Sequence, residues 1–264
     1  MRAFFALAAF ELRYQLRGPV FVATFALFGL LTFGAVTVDN VQIGASNAVN
    51  IDSPFAITSM VMVLSLTGLF IPTAMLSSAV LRDLEMNTAG LVFSTPVRPW
   101  ILLLGRFVGG FAASALAFAS VPLAAYVGAH MPWLDPEQLG GTGPATYAHI
   151  YLLFGVGNLF ACGLVLFTVA NLTRSTMATY VTLVAFLVLY LLGVELGSEP
   201  AHRDTLALVD PLGVSTVETV TRYWTPIERN TQVAPLQGVL LANRLLWLGI
   251  GLSLLLVNVV TFRF

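Results

Sequence analysis

Lysine is absent from this 264-residue chain, and all twelve basic residues are arginine. Without lysine, the sequence cannot contain a phosphate-binding loop of the GxxxxGK[ST] type. We therefore expect no ATP hydrolysis by this chain and no cofactor bound within it. Only 9% of the residues are charged, whereas a soluble domain carries about 25%. The formal net charge is −1 and no basic tract occurs, so binding to nucleic acid is not indicated.

Cysteine and histidine are also scarce. The single cysteine, Cys162, excludes a disulfide within the chain and a cysteine-rich metal site. The three histidines, His130, His149 and His202, lie in or beside predicted loops, and no HExxH motif occurs. This pattern fits exposed interfacial histidines better than a shared metal site. The apolar segments contain no cluster of acids, bases or metal ligands, which argues against an integral membrane enzyme.

Apolar residues dominate the composition instead. They make up 58% of the chain, against about 45–50% in soluble domains, and the mean hydropathy is +0.88. A helix needs about 20 mostly apolar residues to cross a bilayer. The sequence therefore predicts an all-α integral membrane protein forming a single domain over residues 1–264. Its six predicted spans are 19–38, 54–80, 100–129, 149–170, 177–194 and 244–262. Pro72 is expected to kink the second span.

The arginines are distributed unevenly among the predicted loops. Short loops on the cytoplasmic side of a membrane carry an excess of basic residues. With the N-terminus in the cytoplasm, eight arginines fall on that side and four on the other. The sequence therefore predicts cytoplasmic N- and C-termini. We interpret the exclusive use of arginine as codon bias in a GC-rich bacterial genome, which favours a bacterial inner membrane.

Two segments outside the spans have helical patterns. Residues 1–18 can form an amphipathic helix that lies in the membrane interface. The charged residues beside its apolar face are Glu11, Arg13 and Arg17. Both a membrane anchor and a partner contact fit this helix. Residues 195–243 form the longest predicted outer loop, where we expect short helices packed on the bundle.

A charged segment at 81–98 interrupts the apolar chain between the second and third spans. Arg82, Asp83, Glu85 and Arg98 lie within it. The pattern predicts a short helix over 82–90 that ends before the Thr-Pro pair at 95–96. Such a helix, joined to two spans, is suited to take a push from a soluble partner. An ordinary re-entry turn with charges for topology fits the spacing equally well.

Ionisable groups are nearly absent from the middle of the predicted spans. Arg106 lies about two turns into the third span, where it is expected to snorkel to the cytoplasmic surface. Coupling to an ion gradient normally uses mid-membrane charges, so their absence favours an external energy source. Gly105 and Gly109 form a GxxxG pattern in the same span. This pattern fits either packing within the chain or a dimer face.

The segment RDLEMNTAGLVFSTPVRPWILLLGRF resembles the region between the second and third helices of ABC-2 type permeases, the membrane subunits of ATP-driven exporters. The resemblance implies two permease copies paired with two ATP-binding cassette subunits, which would hold the ATP and magnesium. It also implies a coupling helix that docks on the ATPase. The residues carried over to that helix are Arg82, Asp83, Glu85, Thr88, Pro96 and Arg98. The turn containing Asn171 and Arg174 would form a second cytoplasmic contact.

Later segments resemble one branch of that family, in which the permease is sometimes fused to an M1-type aminopeptidase domain. These segments are 210–213, 228–230 and 243–247. An alternative function is therefore a membrane anchor for a larger, peptidase-fused protein, without transport of its own. Nothing in the sequence indicates the transported substrate.

Overall fold

The computed structural model describes residues 2–38, 43–46, 48–94, 97–196 and 202–262; for Phe93 and Leu196 it describes the backbone only. Helices make up 80% of it, and this described part contains no strands, which confirms the predicted all-α class. The helices are α1 (Arg2–Leu16), α2 (Pro19–Thr37), α3 (Pro54–Gly68), α4 (Phe70–Glu85), α5 (Ala89–Phe93), α6 (Pro99–Phe118), α7 (Ser120–Ala129), α8 (Pro144–Ile150), α9 (Gly157–Thr173), α10 (Thr176–Leu196), α11 (Arg203–Val209), α12 (Val214–Thr221), α13 (Pro226–Thr231) and α14 (Gly238–Thr261). A π-helical segment, Tyr151–Val156, joins α8 to α9, and a 3₁₀ turn occupies Pro136–Gln138.

Five helical stretches in the described residues are long and apolar enough to cross a membrane, and the bent pair α3–α4 makes a sixth if it is one span. These stretches are α2, α6–α7, α8–α9, α10 and α14. Each overlaps one predicted span, which is consistent with a membrane protein. The fourth starts five residues earlier than predicted, at Pro144, because proline suits the first turn of a helix.

Two helix breaks lie against each other in the middle of the bundle. The chain bends by 43° at Leu69, between α3 and α4, three residues before Pro72. A second break at Ala119, between α6 and α7, precedes Pro122 by the same three residues. A proline ring displaces the carbonyl four residues earlier, which explains both positions. A Cβ added at Gly68 would lie 2.8 Å from the ring of Phe118, so the two breaks pack closely.

The bundle has a buried centre and an exposed periphery. Over an apolar stretch of 18 residues, 61% of the residues are buried in α6–α7 and also in α8–α9. The corresponding share is 17% in α2, 11% in α10 and 17% in α14. The aromatic core between the central helices contains Phe118 and Phe154, both fully buried. The apolar outer faces of α2, α10 and α14 are therefore available to lipid or to another protein.

The two ends of the bundle are built differently. One end, called the α5 end, carries α1, α5 and the turn 174–175. The opposite end, called the loop end, carries residues 43–46, 48–53 and 130–143 and helices α11 to α13. Hydrogen bonds join these loops, from Ile51 N to Gln138 O at 3.1 Å and from Asn50 N to the Oδ1 of Asn230 at 2.8 Å. Short helices in the 195–243 loop are confirmed for its described residues.

Candidate functional site

Four charged side chains from three helices meet at the α5 end and form two buried ion pairs. Glu11 comes from α1, Arg82 and Asp83 come from the last turn of α4, and Arg106 comes from α6. Their formal charges cancel. We call these four residues, together with Gln15, the ion-pair cluster.

The first pair joins α1 to α4. Both carboxylate oxygens of Glu11 accept hydrogen bonds from Arg82, at 3.1 and 2.6 Å, and Glu11 is only 1% exposed. Gln15, one turn later on the same face of α1, donates to Glu11 at 2.9 Å and to the carbonyl of Met75 at 3.1 Å. The Arg82 guanidinium also lies 4.2 Å from the centre of the Tyr14 ring, a cation–π contact. These side-chain contacts join α1 to α4.

The second pair joins α4 to α6. The Arg106 guanidinium donates to the carboxylate of Asp83, and both side chains are buried. The expectation that Arg106 snorkels to the surface is therefore wrong, because a carboxylate on the neighbouring helix pairs with it inside the bundle. Removing one partner of a buried ion pair costs about 3–5 kcal/mol, since the other charge is left uncompensated. The cluster therefore ties α1, α4 and α6 together.

Gly105 and Gly109 allow α1 to approach α6 closely. A Cβ added at Gly105 would lie 2.9 Å from the Cβ of Leu7, and one at Gly109 would lie 2.6 Å from the carbonyl oxygen of Ala8 and from the Cβ of Glu11. The GxxxG pattern was consistent with packing within the chain or with a dimer face, and in the structure it packs against α1 of the same chain. Since α1 covers both glycines, they are not available to a second copy.

Helix α1 differs from the predicted interfacial helix in which face it buries. Glu11 was expected beside the apolar face, yet it is buried at the packing surface with α4 and α6. The opposite face exposes the large apolar side chains of Phe5 and Phe10. Arg13 and Arg17 are exposed, as the pattern predicts. The sequence did not reveal the burial of Glu11 because its partner, Arg82, lies 71 residues away.

The helix predicted over 82–90 does not form as one piece. Helix α4 continues through Glu85, and the chain then turns before α5 begins at Ala89. Asn87 takes a left-handed conformation (φ 56°), while the amide of Thr88 donates to the carbonyl of Asp83 at 2.9 Å and that of Asn87 to Leu84 at 3.3 Å. This is a Schellman ending, in which asparagine replaces the usual glycine.

The residues assigned to coupling therefore separate into two groups. Arg82 and Asp83 are buried in the ion-pair cluster, and Asn171 is buried against α14, where it donates to Asn258 at 2.9 Å. These three side chains do not form an accessible surface. The residues that remain accessible are Glu85, Thr88 (in part), Arg98 and Arg174. Pro96 lies outside the described residues.

The two predicted cytoplasmic contacts lie side by side. The Glu85 carboxylate, at the end of α4, accepts a hydrogen bond from the hydroxyl of Thr176, at the start of α10. Three large apolar side chains are exposed near this junction: Met86 at 60%, Leu91 at 76% and Met177 at 78%. We call these three residues the α5 patch. Exposed apolar groups of this kind mark interaction surfaces when they occur together.

A second polar cluster at the loop end escaped the sequence reasoning. The Asp210 carboxylate accepts hydrogen bonds from three backbone amides, those of Leu212, Gly213 and Ser215, at 2.7–3.0 Å. Asn243, in the first turns of α14, donates to the carbonyl of Asp210 at 2.8 Å and to those of α11. These bonds fasten the α11–α12 turn onto α14.

Arg244 extends this cluster to the π-helical segment. Its guanidinium donates to the Oδ1 of Asn158 at 2.8 Å and lies 5.4 Å from the centre of the Phe154 ring. Asn158 in turn donates to the carbonyl of Leu212 at 3.0 Å. Segments 210–213 and 243–247, which carry part of the branch resemblance, therefore touch each other. Their sequence separation gave no signal of this contact.

No protein-family model matches the chain, and no curated protein matches it. Among the described residues, no three histidine, cysteine or acidic side chains are grouped so that they could hold a metal ion. The charged cluster at the α5 end is internally neutralised by its two ion pairs.

Proposed function

We propose that the chain is the permease subunit of an ATP-binding cassette exporter, driven by separate ATP-binding subunits. The observation that carries the proposal is the α5 patch: Met86 directly follows α4, Leu91 lies in α5 and Met177 lies at the start of α10. Two buried ion pairs join α4 to α1 and α6. The resemblance of the 82–107 region to ABC-2 permeases supports the same assignment.

The path from the patch into the bundle is short and well bonded. The hydrogen bonds of Asn87 and Thr88 join α5 directly to the end of α4. Arg82 and Asp83 then connect α4 to α1 and α6. A force on α5 would move these three helices together, because closely packed interfaces shift between discrete arrangements and do not deform continuously. The breaks at Leu69 and Ala119 are the points where such movement would be absorbed.

In this proposal a second permease copy, identical or homologous, completes the translocation path. The weakly buried faces of α2 and α10 are available to it. The partner ATPases bind the ATP and the magnesium, and this chain binds neither of them. The α5 end then faces the cytoplasm of a bacterial cell, in line with the arginine distribution.

The test uses variants of accessible residues only. The chain is co-expressed with a candidate ATP-binding cassette protein from the same genome, and capture and ATPase activity are measured after purification. Leu91→Asp places a charge in the α5 patch, and we expect capture to fall about 10- to 100-fold, because burial of one leucine is worth about 1.5–3 kcal/mol. Glu85→Arg is expected to lower the ATPase stimulation.

Ile227→Asp is the matched control, since Ile227 is 75% exposed at the loop end. It should leave capture unchanged. Normal capture and normal ATPase coupling in both Leu91→Asp and Glu85→Arg would show that the α5 patch is not the docking surface. A folded chain that captures no ATP-binding protein at all would instead favour the membrane-anchor function.

A further inference from the structure

A cavity of about 590 Å³ opens where α1 meets α2. Arg13 and Arg17 line it, and so do Phe10, Tyr14 and the first residues of α2. The ion-pair cluster fixes this wall, because Arg82 lies on the ring of Tyr14 and Gln15 bonds to Glu11. The proposed transport function does not use the cavity.

The cavity has an excess of positive charge. Arg13 lies in the last turn of α1 and Arg17 directly follows that helix, one turn further on, where its amide donates to the carbonyl of Arg13 at 3.3 Å. Neither arginine forms an ion pair with another described residue. Among the described residues that line the cavity there is no carboxylate. Glu11, the nearest acidic residue in sequence, faces the opposite way and is neutralised by Arg82. An anion entering the cavity would meet two guanidinium groups without competition.

The N-terminus of α2 adds one backbone donor to the same cavity, the amide of Val20. Gly18 is the N-cap of this 19-residue helix, and no side chain caps it. Gly18, Pro19 and Val20 line the cavity. The amide of Gly18 already donates to the carbonyl of Gln15 at 3.0 Å and Pro19 has no N–H, so among these three residues Val20 offers the free amide to the space that Arg13 and Arg17 reach. Uncapped helix N-termini favour phosphate, because the free amides and the helix dipole act together. Two arginines and a helix N-terminus thus make a site for a phosphate group.

The position of the cavity selects the kind of phosphate. It lies at the start of α2, one of the apolar helices long enough to cross a bilayer, and therefore at the level of the headgroups. Its apolar lining, from Phe10, Tyr14 and Val20, is suited to cover the glycerol and the first acyl carbons. A zwitterionic headgroup also carries an ammonium group, which would find no carboxylate among the described residues that line the cavity. We propose that the α1–α2 cavity binds the headgroup of an anionic phospholipid, with Arg13 and Arg17 on its phosphate.

Native mass spectrometry of the purified full chain tests this site. The chain in detergent is titrated with phosphatidylglycerol or with phosphatidylcholine of the same acyl chains. Each arginine near an anionic headgroup contributes roughly a fivefold factor in affinity. We therefore expect Arg13→Gln combined with Arg17→Gln to weaken phosphatidylglycerol binding about 25-fold and to leave phosphatidylcholine binding unchanged.

Two further variants separate a built site from a general charge effect. Arg2→Gln combined with Arg98→Gln removes the same charge from exposed positions outside the cavity, and it should bind phosphatidylglycerol like the wild type. Ser78→Leu projects into the cavity and keeps both arginines, so it should lose the preference for phosphatidylglycerol.

Three results would overturn the proposal. Equal losses in the two double variants would mean that only net charge matters. Unchanged phosphatidylglycerol binding by Ser78→Leu would mean that the cavity is not the site, a result that stands even if Arg13→Gln with Arg17→Gln fails to fold. Displacement of the lipid by excess inorganic phosphate would identify a site for small anions.

Discussion

Replacing Glu11 by Gln leaves the Arg82 guanidinium buried without its carboxylate partner. We expect this single change to lower the free energy of unfolding by about 3–5 kcal/mol. Arg82→Met is also expected to lower the free energy of unfolding, because Glu11 is then a buried carboxylate with Gln15 as its remaining side-chain donor among the described residues. Arg82→Met also removes the cation–π contact with Tyr14, worth about 0.5–2 kcal/mol.

The double replacement distinguishes pairing from general damage. Glu11→Met combined with Arg82→Met removes both charges and keeps a similar side-chain volume. Gln15 keeps its bond to the carbonyl of Met75 at 3.1 Å. We expect this double variant to unfold within about 1.5 kcal/mol of the wild type, because an apolar replacement avoids the desolvation of both ions. The corresponding cycle, with Glu11→Met as the other single variant, should give a coupling of at least about 4 kcal/mol, because each single variant loses about 3–5 kcal/mol and the double variant at most about 1.5 kcal/mol.

The measurement is a denaturant titration in mixed lipid–detergent micelles, followed by tryptophan fluorescence. The matched controls, Glu137→Gln and Arg98→Met, remove exposed charges and should stay within about 0.5 kcal/mol of the wild type. If the Glu11 and Arg82 variants behave like these controls, or if their losses simply add in the double variant, the ion pair does not hold α1 to α4.

Two further predictions concern packing and a helix cap. Gly109→Ala should destabilise the chain by about 1–3 kcal/mol in the same titration, because its Cβ would lie 2.6 Å from the carbonyl oxygen of Ala8; Gly34→Ala, with open space around it, should not. At the N-terminus of α13, the Glu228 carboxylate accepts hydrogen bonds from the backbone amide and from the hydroxyl of Thr225. These two bonds, the backbone one most strongly, hold the pKa of Glu228 below its ordinary value. The cap is therefore complete above the ordinary pKa of about 4.5 and is lost as the pH falls through the lowered pKa. A carbon NMR titration of the Glu228 carboxyl checks this. Thr225→Val keeps the backbone donor, so it should raise the pKa of Glu228 only part of the way towards the ordinary value. A Glu228 pKa at or above the ordinary value in the wild type would contradict the prediction.

Local patterns in the sequence anticipated some turns and missed others. The bend before Pro72 was predicted because a proline disturbs its own helix, whichever helices surround it. Pro122 breaks α6–α7 by the same rule, and the long apolar run around it masked the signal. Asn87 is a recognisable Schellman residue, yet the charges around it favoured a continuous helix.

The amino-acid sequence by itself determined the class of the protein, the number of apolar stretches and most of their limits. Hydropathy acts over about 20 consecutive residues, so it can be read locally. Only the tertiary structure decided where the rare charges go. Glu11 pairs with Arg82 across 71 residues, and Arg106 with Asp83 across 23. Because an ion pair in a low-dielectric interior depends on distances of a few ångströms between helices, no local pattern could reveal that the charges expected at the surface would hold α1, α4 and α6 together.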